Sequence, residues 1–348
     1  MVGPTRKLKT GSDLMATAPT PITGLTRSQV SVTDILHFTG GLRAVRGDGG
    51  WQLGPLLRDG TISAERGIPE EQIRGLAQTM GLVLFGADEI VPVDPHLPAR
   101  IWTPLLGPPR LQHAANDTWS MISSTAGDAG DEGYAKLARN LSVSLRAAGL
   151  QLRNASDEYG RQLEAALASG WRVGDRFSNL LMVELHLAFH SVLSEMASAR
   201  DYLAQVAARR VGAPDRIDAL ARFRDWTGRP TNSPVLSDAL VKALFEASDV
   251  ATPDPWLHDI GEYRNLFLHR EHIGAMARWL VVEERDSPIG PVRTIAMAIN
   301  TRPGSESRCD ALTRFVDLYG RLCRLADFAA PLAPFEARPP AFGTAENP

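Results

Sequence analysis

The run Glu262-Tyr263-Arg264-Asn265-Leu266-Phe267-Leu268-His269-Arg270 holds the side chains of this sequence best suited to chemistry. Arg264 offers a permanently charged planar fork that grips phosphate oxygens, and His269 offers the one side chain whose ordinary proton exchange falls near neutral pH. Together they could hold a phosphodiester and move its proton. An arginine and a histidine five positions apart arise about 0.8 times by chance in a chain this rich in arginine; an asparagine directly after the arginine lowers that to on the order of 0.02. On a straight α-helix, positions five apart lie about 140° apart around the axis and do not converge on one ligand. The run therefore predicts a distortion, a helix end or a partner chain. Asp254 and Pro255 predict the start of its helix, as N-cap and first-turn proline, with the end near Leu268.

The remaining chain must position these groups, and its length of 348 residues allows a large core in two units. Hydrophobic residues at 44% and charged residues at 22% are those of an ordinary globular protein, and a formal net charge of -3 gives no global pull toward nucleic acid or anionic lipid. Any RNA-facing surface must be local. Seven arginines against four aspartates between Arg200 and Arg229 make one such local surplus, although a solvated helix face explains each arginine singly. Cys309 and Cys323 are too few for a disulfide framework; placed in one helix fourteen positions apart, they would lie about 21 Å from each other. Arg6, Lys7 and Lys9 are not followed by the apolar core of an export signal, and no stretch approaches the roughly twenty apolar residues of a membrane span. The expectation is a cytoplasmic protein with no membrane partner.

The predicted fold is mainly α, with a small mixed α/β or irregular unit ahead of an antiparallel helical bundle. Residues 1–25 read as a disordered tail, 26–125 as the first unit plus a Pro-rich connection, 126–330 as the bundle and 331–348 as a second tail. In the first unit a helix starts at Pro69 and covers Glu70 to Met80, Asp48-Gly49-Gly50 and Asp59-Gly60 mark turns, and Pro92 to Pro109 reads as an extended surface connection. Leu137, Leu141, Leu145, Ala148, Leu152, Tyr159, Leu163 and Leu167 keep one stripe on one helical face, with Gly149 and Gly160 as possible breaks. A second long helix, capped by Asp175 and running to about Val211, turns Leu181, Leu185, Phe189, Val192, Met196, Ala199, Leu203 and Val206 inward. Shorter helices follow at about 215–227 and 237–248. Beyond the motif helix, residues 279–283 and 292–299 form a β-hairpin, and a last helix covers Glu306 to Phe328.

Other candidate groups carry less. His186 and His190 stand one helical turn apart near Glu184, a spacing that can chelate zinc or nickel, but no third ligand is evident and partly buried structural histidines fit better. The glycines at 40–41 and 47–50 lack the lysine of a phosphate-binding loop. His258 and His272 flank the motif helix, and His37, His96 and His113 have no context that singles them out.

The helical order and the Arg264-Asn265-x-x-x-His269 motif, covering roughly Asp131 to Ala330, resemble the HEPN superfamily. This resemblance implies a homodimer in which two motifs meet across a twofold axis, with Phe267 or Trp256 sealing the interface. It implies a metal-independent endoribonuclease with no cofactor, serving as a toxin or phage-defence effector, with RNA as substrate and an antitoxin or regulatory protein as a further partner. Arg264 would bind the scissile phosphate, Asn265 would orient the site and His269 would transfer the proton. Asp201, Arg200, His190 and Arg270 would support the site or touch RNA, Asp201 by pairing with Arg264. The alternative is a non-catalytic HEPN-like helical dimer that acts as a scaffold or as a nucleotide- or partner-binding module.

Overall fold

The structure, a computed structural model, describes residues 34–94, 97–106, 114–267 and 279–339. The tail read at 1–25, His96, His113, His269, Arg270 and His272 lie outside them. Alternating buried and partly exposed side chains build the first strands: β1 (Asp34–Phe38), β2 (Arg43–Gly47), β3 (Gly50–Arg58) and β4 (Thr61–Ile68). The two Asp/Gly clusters are the turns on either side of β3, with Gly50 and Gly60 at positive φ. The first helix, α1 (Glu70–Thr79), begins directly after Pro69 and buries Ile73, Leu76 and Ala77, as its sequence predicts.

Residues 92–94 and 97–104 are not the surface connection expected from their prolines. They belong to a hairpin of β5 (Leu84–Asp94) and β6 (Leu97–Pro104), which completes an antiparallel sheet of order β4-β3-β2-β1-β5-β6. Pro92 lies past Glu89, where the pairing of β5 with β1 stops, and β6 is an edge strand, so the prolines remove no hydrogen bond that an inner strand needs. The first unit is thus a six-stranded sheet with one helix, the mixed α/β alternative rather than the irregular one.

The helical part begins with α2 (Ala115–Asp128), which no sequence signal marked. The apolar stripe that follows forms one unbroken helix, α3 (Glu132–Ala168), capped by the Asp131 carboxylate accepting from the Tyr134 N–H, with every stripe residue buried. Neither Gly149 nor Gly160 breaks it. A Cβ at Gly149 would stand 2.7 Å from the Tyr319 hydroxyl, and one at Gly160 would stand 2.7 Å from the Arg43 guanidinium. Both are places where other elements press onto the helix, so the need is for a small residue rather than a flexible one.

The second long helix, α4 (Met182–Arg210), starts six residues later than predicted. The Asp175 carboxylate caps a local turn instead, accepting from the Arg172 N–H at 2.7 Å, and the two-residue strand β7 (Arg176–Phe177) intervenes. Leu181 consequently stays half-exposed while the other seven predicted inward residues are buried. Arg209, late in α4, lies over Gly133 at the start of α3, and Glu184 faces Arg161 near its end, so the two helices run antiparallel.

Shorter helices α5 (Leu220–Thr227), α6 (Ala239–Ser248) and α7 (Trp256–Asn265) follow. The predicted hairpin is present as β8 (Leu280–Arg285) and β9 (Val292–Asn300), flanked by β7 and β10 (Arg308–Asp310) in a second antiparallel sheet. The last helix, α8 (Ala311–Ala329), is capped by Asp310, whose carboxylate accepts from the Thr313 N–H. Cys309 therefore sits in β10 and only Cys323 in the helix, which corrects their shared placement. Among the described residues no helix is long and apolar enough to cross a membrane.

Candidate functional site

The motif helix begins at Trp256, but Asp254 does not cap it: its carboxylate pairs with Arg321 of α8. Leu257, Asp259, Ile260 and Tyr263 form the buried face, spaced as one side of a helix requires. Asp259, 2% exposed, takes a hydrogen bond from Arg314 at 3.1 Å, and Arg302 lies 3.5 Å away. Burial holds this carboxyl above the usual carboxylate range even against those two cations. The Tyr263 hydroxyl donates to the Asn300 carbonyl at 2.5 Å, fixing α7 against β9. Asp259 and Tyr263 therefore anchor the helix and leave Arg264 outside their network.

After Asn265 the helix widens into a π-type turn at residues 266–267, the kind of distortion expected from the five-residue spacing. Phe267 is 3% exposed and packs against Tyr263 and Phe315, so it belongs to this chain's own core. The expectation that it seals a dimer is corrected; Trp256 is likewise partly buried against the core. Arg264, one turn on from Ile260, and Asn265, one turn on from Gly261, are half-buried on the flank of the helix.

Arg200 comes to this same helix. Its guanidinium lies directly on Gly261, where a Cβ would collide with it, and positions 264 and 265 stand three and four residues further along α7. Arg200 thus packs on the helical turn that precedes Arg264 and Asn265. Asp201 does not reach Arg264: its carboxylate accepts from Arg200 at 3.0 and 3.1 Å and from the Leu220 N–H at 3.2 Å, tying α4 to the start of α5. His190 and His186 are half-buried further back on α4, and among the described residues no three His, Cys, Asp or Glu side chains are placed to hold a metal ion.

No family model, curated protein or solved structure matches the chain. The site is therefore read from its own geometry.

That geometry includes a second polar cluster which sequence reasoning passed over. His37 of β1 stands between Ser156 of α3, whose hydroxyl is 3.0 Å from Nδ1, and Asp88 of β5, whose carboxylate is 3.1 Å from Nε2. A neutral ring satisfies both contacts by donating from Nε2 to Asp88 and accepting the Ser156 hydroxyl at Nδ1. Serine, histidine and aspartate in a row invite comparison with an acylating triad. Yet His37 and Asp88 are 0% exposed and Ser156 1%, so no substrate reaches the hydroxyl. A cleft of about 360 Å³, lined by Lys136, Asn140, Gln205 and Arg209, lies elsewhere, between the start of α3 and the end of α4. The three residues are separated by 51 and 119 positions, so no spacing in the sequence could have joined them.

Proposed function

We propose that this chain is a metal-independent endoribonuclease of HEPN type, acting as a homodimer and serving as a toxin or defence effector. The observation that carries this reading is the packing of the Arg200 guanidinium on Gly261, one turn before Arg264 and Asn265, on a helix that widens at 266–267. Arg264 holds the scissile phosphate and stabilises the charge that develops on its oxygens, with Arg200 adding positive potential. The RNA 2′-hydroxyl attacks phosphorus, its proton passes to a base, and the bond from phosphorus to the 5′-oxygen breaks as that oxygen gains a proton. His269 serves this proton transfer. The products are a 2′,3′-cyclic phosphate and a 5′-hydroxyl end. DNA, without the attacking hydroxyl, is inert.

The second reading is a non-catalytic helical dimer that binds a nucleotide or partner, and the commitment of Arg200 to Asp201 favours it, because that pair also serves as a plain structural tie. Growth on induced expression separates the two. The nuclease slows growth, and Arg264→Ala and His269→Ala each relieve the defect by themselves. Equal growth of wild type and both variants supports the non-catalytic dimer.

A further inference from the structure

His37 sits at the seam between two layers of the fold, bonded to Asp88 of the sheet and to Ser156 of α3. Among the described residues, the side-chain hydrogen bonds and ion pairs that join the six-stranded sheet to α3 all fall on one stretch of that helix, Arg153 to Asp157. His37 meets Ser156, Arg43 meets the Ser156 carbonyl at 3.2 Å and Asp157 at 3.1 Å, and Arg100 meets Asp157 at 3.0 Å. Arg153 reaches back to Asp88 at 3.6 Å. We propose that this cluster is a proton-operated latch, in which protonation of His37 releases the sheet from α3.

Charge balance supplies the reason. The charged groups facing His37 are Asp88 on β5, Arg43 on β2, Arg100 on β6, and Arg153 and Asp157 on α3. Three guanidiniums already oppose two carboxylates, so an imidazolium adds a second unbalanced positive charge at a place with no exposure to water. Phe85 and Trp102 wall the ring with their own rings, at centroid distances of 6.4 and 5.2 Å, and offer no hydrogen-bond acceptor to an added charge. Opening lets water solvate the imidazolium and relieves the repulsion.

The direction of the pH response follows. Burial lowers the His37 pKa despite its bond to Asp88. The closed state then binds fewer protons than the open one, so the latch is fully held above about pH 6.5 and weakens as pH falls below it, by up to about tenfold per pH unit. Burial pushes the Asp88 carboxyl up, but hydrogen bonds from His37 and Arg100 outweigh this and hold it below the ordinary carboxylate range. Its own titration thus belongs to a much more acid range.

Amide hydrogen exchange at pH 7.5, 6.5 and 5.5, corrected for intrinsic rates, tests the latch on the full chain. In wild type, amides of β1, β5 and residues 150–160 of α3 are expected to open more readily as pH falls from 6.5 to 5.5, by up to about fivefold. His37→Gln keeps an amide that can donate and an oxygen that can accept, but cannot titrate, and its exchange should be flat over the same range. Constant wild-type protection, or an equal slope in His37→Gln, overturns the proposal. Should the variant fail to fold, an NMR titration of the wild-type His37 ring decides: protonation below pH 6.5 together with lost protection supports the latch, whereas protonation with protection intact refutes it.

Discussion

Arg264→Ala is expected to lower RNA cleavage by about two to three orders of magnitude, the usual loss when a preorganised donor to developing charge is removed. The same change should alter folding stability by less than about 1 kcal/mol, because a half-buried side chain outside the Asp259 and Tyr263 network leaves no buried group stranded. Arg264→Lys should recover little activity. An ammonium is a point charge and cannot present two parallel donors to phosphate oxygens as a guanidinium does. Cleavage rates on total RNA, set beside urea unfolding of the same preparations, separate a chemical effect from a folding one. An Arg264→Ala protein that cuts at the wild-type rate removes the residue from the mechanism.

Asp88→Ala is expected to have the largest effect on stability, about 3 kcal/mol of destabilisation. Asp88 is fully buried and accepts from His37 and from Arg100, with Arg153 nearby; its removal leaves a buried imidazole N–H and two guanidiniums short of their counter-charge. Asp157→Ala should cost less, because Asp157 and its partners Arg43 and Arg100 all retain contact with water. Urea unfolding at pH 7.5 reads both. Equal costs for the two variants would mean that Asp88 is no more critical to the sheet and helix interface than its solvent-reached neighbour.

The contrast between these residues shows which parts of the molecule were legible in sequence. Long-range periodicity was readable, since a stripe such as Leu137 to Leu167 needs only one straight helix and one core to face. Helix starts marked by proline were readable too, at Pro69 and Pro255, whereas those assigned to a carboxylate cap were not, because such a group has competing local uses: Asp175 closes a turn with the Arg172 N–H, and Asp254 pairs with Arg321. The prolines of 92–104 suggested a loop, although strands at the margin of a sheet tolerate them. Gly149 and Gly160 looked like breaks because local propensity says nothing of the Tyr319 hydroxyl or the Arg43 guanidinium that arrive from elsewhere in the chain.

At the site the same division holds. The motif was visible as a run of residue types, and the turn at 266–267 lies where the spacing required a distortion. The approach of Arg200 to Gly261 could not be seen, since it depends on how α4 packs on α7 rather than on either segment alone. Asp201 next to Arg200 offered the nearer and stronger pairing, which is why it does not serve Arg264. His37 was passed over for a related reason: its partners converge only after the sheet has formed and docked onto α3.

The most direct test is to incubate purified protein with total RNA in excess EDTA and to sequence the newly formed 5′ ends. Abundant 5′-hydroxyl ends, matched by 2′,3′-cyclic phosphates and missing when Arg264→Ala replaces the wild type, are the predicted result. Ends that carry 5′-phosphate, cutting that disappears on chelation, or 5′-hydroxyl ends produced equally well by Arg264→Ala would contradict it.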